Sequence, residues 1–222
     1  MYRALVICVF VSILHAQTAP PEQIRSAAGA VVMVQRGSTG FSNLTQCFSC
    51  HAHALPMLTL QTAREQGTVI DETAASQVGA KGFLATPDLT SIDHAVQDLM
   101  IIDPALGDGW ALVAAPAVGV RPNMVTAVYA RRLATWQRPD GYWPTADDRP
   151  PQSYSLFTAT AIALRAMHWY MPARLSKETT ERSERAKLWL PSTEPRSAED
   201  SRFRLFGVCW AGGTSAECSK AA

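Results

Sequence analysis

Charge is the first thing this chain lacks. It has 20 Lys and Arg against 19 Asp and Glu, a formal net charge of +1, and its basic residues nowhere gather into a stripe with interleaved aromatics. Nucleic acid is therefore not an expected partner. After the first residues no apolar run of membrane length follows, so no later transmembrane span is expected. Val, Ile and Thr never alternate with polar residues long enough to make a sheet, which leaves an all-α fold. Cysteine is sparse, five residues in 222, and only one Cys-x-x-Cys-His segment occurs.

What is present is ordinary globular material. Hydrophobic residues make 47% of the chain and charged residues 18%, the composition of a domain with its own core. The six Trp point to a core of large side chains. Residues 1–16 read as a signal peptide: Arg3 supplies a positive start, Ala4 to Leu14 is apolar but too short to span a bilayer, and Ala16 is a plausible residue before the cut. A membrane anchor is the rival reading. Either way the rest of the chain is expected outside the cytoplasm, periplasmic or secreted. Cys8 leaves with the leader, and Cys47, Cys50, Cys209 and Cys218 remain, an even set that permits disulfides in an oxidising compartment.

Helical periodicity dominates the remainder. A first helix is expected over 23–35, stopped by Gly37 and Gly40, so that residues 17–45 form an N-terminal helix and linker. Further helices are expected over 55–66, from an N-cap at Asp71 to about 84, over 89–102 with Asp103-Pro104 ending it, over 109–115, over 124–137 capped by Asn123, and over 154–171. An amphipathic helix over 177–190 is expected to bury Leu188 and Trp189. Ser197 opens the last, to 211, with Ser197-Ala198-Glu199-Asp200 resembling a capping box, and the tail 214–222 is expected to fray. Helices joined by turns suggest stacked pairs.

Gln137-Arg138-Pro139-Asp140-Gly141-Tyr142-Trp143 fits the pattern Q-x3-G-x-W, with Leu133 four residues ahead. A degenerate copy, Trp189-Leu190-Pro191-Ser192-Thr193-Glu194, follows one repeat later. These residues resemble the repeat motif of terpenoid cyclases and the related prenyltransferase-like toroids. The resemblance implies a partial α/α toroid of stacked helix pairs over 46–213, in which Gly141 permits the turn and Trp143 folds back over Gln137. Arg132 stands where the family carries an aromatic residue. The toroid's concave face would suit an apolar small molecule.

The resemblance does not extend to catalysis. The acid motif of squalene-hopene-type cyclases would fall on Tyr154-Ser155-Leu156-Phe157, none of which is acidic, and protonating an alkene needs a strong acid in an apolar pocket. Asp147-Asp148 comes too early in the chain. Protein prenyltransferases use a zinc site of Asp, Cys and His, but Asp200, Cys209 and His168 show no ligand spacing. No catalytic residue is assigned. His168 reads as a packed residue, Cys209 as core, and Arg131, Arg132, Arg202 and Arg204 as members of exposed ion pairs.

Cys47-Phe48-Ser49-Cys50-His51 is the strongest chemical motif. It is the attachment pattern of c-type haem, in which two thiols form thioethers and the following His ligates iron. Export fits that chemistry, and a redox partner would follow from it. His53, Met57, Met33 and His94 are the candidates for a second axial ligand. A short Cys47–Cys50 disulfide, pairing of both with Cys209 and Cys218, free thiols, and a zinc site remain open beside haem.

Overall fold

The computed structural model describes residues 21–45, 48–80, 103–146 and 153–221. Among these residues there is no strand, and the elements are helices. We number them α1 Pro21–Leu44, α2 Leu55–Glu65, α3 Glu72–Gly79, α4 Pro104–Ala114, α5 Met124–Thr135, α6 Leu156–Tyr170, α7 Ser176–Ser192, α8 Ala198–Trp210 and α9 Ser215–Ala221. A π-helical turn, Cys50–Ala54, leads into α2. Short 3-10 turns, Ala115–Val118 and Ala173–Leu175, follow α4 and precede α7. None of these helices is long and apolar enough to cross a membrane. The helix expected over 89–102 lies outside the described residues.

The helix starts follow side-chain oxygens. Asp71 accepts from Ala74 N, Asp103 from Leu106 N, and Ser155 from both Phe157 N and Thr158 N. Asn123 and Thr126 form a reciprocal box, each side chain bonded to the other's backbone N–H. Each bond supplies one of the donors that a helix start leaves without a partner. Asp103-Pro104 opens α4, which starts ahead of the expected Gly109. Pro104 takes the first helical position, where a missing N–H costs nothing. Ser197 caps α8 by accepting from Asp200 N, but the Asp200 carboxylate turns away to Arg196 N and Ser155 Oγ. The reciprocal half of the expected box is therefore absent.

Three expectations about helices need correction. The first helix passes through Gly37 and Gly40 to Leu44. Two interior glycines cost about 1 kcal/mol each, and long-range bonds from one face offset them. Gln35 exchanges two hydrogen bonds with the Asp71 backbone, Ser38 donates to Ala52 O, and Ser42 bonds His53. The tail does not fray: α9 is tied to α8 by a Cys209–Cys218 disulfide. On α7 the inward face is Ala186 and Leu190, both fully buried, while Leu188 is 73% exposed and Trp189 half-buried.

The main core gathers α4 to α8 around Trp110, Tyr129, Leu133, Trp143, Ile162, Leu164, Met167 and Leu190, all at most 2% exposed. Helices α6 and α8 run parallel. Ser155 and Thr158 meet Asp200 and Glu199 at their starts, Ala161 lies against Gly207 midway, and Arg165 reaches Trp210 near their ends. Helices α5 and α7 also advance together: Arg131 pairs with Glu178, and Gln137 just past α5 meets Arg182. A second, smaller cluster, Val31, Leu60, Ala63 and Ala75, joins α1, α2 and α3.

Candidate functional site

Two constellations carry the sequence-level candidates. The first is the turn after α5. Gln137 Nε2 donates to Gly141 O and to Arg182 O, both at 2.9 Å, while its Oε1 accepts from Arg185 at 2.8 Å. Gly141 has φ 106° and lies so close to α7 that a Cβ would stand 2.3 Å from Arg185 O. Trp143 is fully buried; its ring N–H donates to Leu133 O at 2.7 Å and its backbone N–H to Thr160 Oγ1 at 3.0 Å. The four residues Leu133, Gln137, Gly141 and Trp143 thus act together, fastening the end of α5 to α7 and α6. The indole makes its hydrogen bond to the Leu133 carbonyl rather than to Gln137.

The second is the cysteine-histidine segment. Cys50 opens the π-helical turn as a free, half-buried thiol, 3.5 Å from Ser153 Oγ. His51 is exposed, with Nδ1 3.2 Å from Ser49 Oγ and 3.9 Å from Cys50 Sγ. Ser49 also caps the turn through Ala52 N. Cys47 lies outside the described residues, as does His94. Among the described residues no group of three or more His, Cys, Asp or Glu is arranged to hold a metal.

The remaining axial candidates lie in different settings. His53 is fully buried between the rings of Phe41 and Phe48. Its Nδ1 accepts from Ser49 N at 3.1 Å, so its Nε2 carries the proton and donates to Ser42 Oγ at 2.9 Å. Met57 is 3% exposed in the main core, and Met33 is 75% exposed on α1. Compared with protein-family models, curated proteins and solved structures, the chain gives no match.

Cys209 is half-buried and bonded to Cys218, so it is neither the packed thiol expected nor a partner for the Cys50 thiol. His168 is exposed rather than packed. Arg131 forms its ion pair with Glu178, but Arg132 is enclosed, with Nε 3.6 Å from the fully buried carboxylate of Asp108. Asp108 escaped sequence reasoning because only the fold turns this face of α4 toward α5. At the start of α6 acids arrive from the neighbouring helix: Asp200 accepts from Ser155 Oγ and Glu199 from Thr158 Oγ1 at 2.6 Å.

Proposed function

We propose that the chain is an exported electron-transfer protein carrying one c-type haem at Cys47, Cys50 and His51, on a partial α/α toroid resembling the squalene-cyclase type. The observation that carries this reading is the free Cys50 thiol beside the exposed imidazole of His51, while Cys209 and Cys218 are consumed by each other. The donor types suit the group: Cys50 is available for a thioether, and the exposed His51 imidazole, whose Nδ1 and Nε2 lie 3.2 and 3.5 Å from the Ser49 hydroxyl, would turn one ring nitrogen to iron. Covalent haem there supplies a one-electron carrier with an imidazole axial ligand.

The chain's own residues prepare the attachment. The cap at Ser49 fixes the turn that presents Cys50 and His51 together. His53, held by Ser42 and Ser49 N, anchors the same turn to α1. Phe48 and Cys50 pack against the main core, so the thiol side of the segment faces apolar surface while His51 faces out. The matching advance of α6 with α8 and of α5 with α7 supports stacked helix pairs, and the motif turn at Gln137 supports the toroid type. A redox protein of the periplasm or secreted space is the partner this reading implies, and no enzymatic activity is assigned.

A second reading, a non-catalytic binding module with Cys47 and Cys50 as a structural pair, is favoured by one observation. The anchoring of His53 gives the segment a role in joining α1 to the body without any cofactor. A haem stain on a denaturing gel separates the two, after secretion in a host with c-type maturation and beside a Cys47→Ala/Cys50→Ala control. A stained band lost in the control is the expected result. An unstained, folded protein sinks the haem reading and leaves the module.

A further inference from the structure

The far end of α6 carries a half-buried cation held against aromatic rings. Arg165 is half-buried, its guanidinium lies 4.0 Å from the centroid of the Trp169 ring and 5.3 Å from that of Trp210, and its buried Nε has no hydrogen-bond partner. No carboxylate among the described residues forms an ion pair with it, and Glu65 acts on it only through longer-range attraction. Burial pulls its pKa down, the sign of a charge removed from water and incompletely compensated. Aromatic faces hold a guanidinium flat but satisfy none of its N–H donors. Around it the rings continue outward: Trp210 stacks on Phe206 with centroids 5.3 Å apart, and Phe206 is 42% exposed.

We propose that Arg165, Trp169, Trp210 and Phe206 form a binding site for a single-chain anionic amphiphile. Its carboxylate or phosphate head would meet the guanidinium, and its apolar body would lie along the Trp210–Phe206 shelf. A planar guanidinium with free donors is matched to two-oxygen anions, which form charge-assisted bonds with it. The shelf beside it offers contact area to an apolar chain and nothing to a bare inorganic ion. The site is separate from the cysteine-histidine segment. Cys50 meets Ser153, ahead of the start of α6, whereas Arg165 lies in the second half of that helix, about 15 Å further along at 1.5 Å per residue. The inference therefore stands whether or not haem is attached.

Titration calorimetry of the full exported chain tests it, with laurate, lauryl phosphate, lauryl alcohol and inorganic phosphate as probes below micelle-forming concentrations. The expected result is saturable binding of laurate or lauryl phosphate, with lauryl alcohol about tenfold weaker or worse. Inorganic phosphate should not bind measurably, and the tighter of the two anions identifies the head group. Arg165→Gln should reduce binding of the anions to the level of the alcohol and leave the alcohol unchanged. Arg165→Lys keeps the charge but loses the stacked plane, so it should fall between the two. If Arg165→Gln loses its circular dichroism signal, the Lys variant carries the comparison alone. Equal affinity for laurate and lauryl alcohol, anion binding unchanged by either substitution, or no binding of any lauryl probe would overturn the proposal.

Discussion

A methyl group on Gly141 would stand 2.3 Å from the Arg185 carbonyl oxygen, and the residue's φ of 106° already lies where L side chains are strained. The neighbour is backbone of α7, so it cannot rotate aside. Gly141→Ala is expected to destabilise the fold by about 2 kcal/mol or more, the backbone conformation alone costing 1–3. Urea unfolding followed by circular dichroism would read it as a lower midpoint at unchanged slope. An unchanged midpoint would mean that the turn is not pressed onto α7. This residue and its partners Gln137 and Trp143 were legible in the sequence because a local turn imposes its own residue types. Arg132 and Asp108 were not: Arg132 reads as an exposed helical cation until α4 brings a buried carboxylate to 3.6 Å. The same holds for His53, whose partner Ser42 is eleven residues away on another helix.

Elements were legible where the chain punctuates itself and illegible where distant partners decide. Asp71, Asn123 and Ser197 each announce a helix, since a short side-chain oxygen precedes the periodic apolar residues. The passage of α1 through Gly37 and Gly40 depends on bonds from Gln35, Ser38 and Ser42 to other elements, and no local rule anticipates them. Helix α9 is a similar case. Seven residues are too few to hold a helix alone, yet Thr214 and Glu217 cap it reciprocally, Lys187 pairs with Glu217 at 3.1 Å, and Cys218 is bonded to Cys209. Closing a loop over a sequence separation of 9 removes unfolded-chain entropy worth about 2–3 kcal/mol. A Cys209→Ser/Cys218→Ser variant is expected to lose about that much in urea unfolding. It should also lose amide-exchange protection first over 215–221, because that segment then keeps only its capping and ion-pair contacts. Uniform loss of protection across α8 and α9 would instead place the disulfide's effect on the whole core.

At the scale of the molecule, carboxylates fasten one helix to another. Arg64 beside Glu72 joins α2 to α3 and holds that carboxyl below its ordinary range. Arg182 first, and then Arg131 from α5, do the same for Glu178 at the start of α7. For Glu217 the Thr214 backbone N–H contributes most, then its hydroxyl and Lys187, bringing the carboxyl down to about 2 from 4.5. Each folded-state value lies below the unfolded one, so the unfolded chain takes up protons first as the pH falls. The stabilisation is complete above about 4.5 and is lost progressively toward 2, where Glu217 is protonated in the folded state as well. Tyr170 acts at the other extreme. Burial pushes its phenol up, so its contribution is complete below its ordinary value of 10.0 and declines as the unfolded chain ionises above it. The urea midpoint is therefore expected to fall as the pH drops below about 4.5 and as it rises above about 10. On the acid side, added salt should reduce the fall, because Glu72 and Glu217 are exposed and Glu178 only half-buried, and their attraction to Arg and Lys is screened within about 8–10 Å. A midpoint that rises between pH 4.5 and 2.5 would show that these ion pairs do not join the helices. The acid limb should be unaltered in Tyr170→Phe, which would abolish only the loss above pH 10, since it removes the ionising group and leaves the three carboxylates in place.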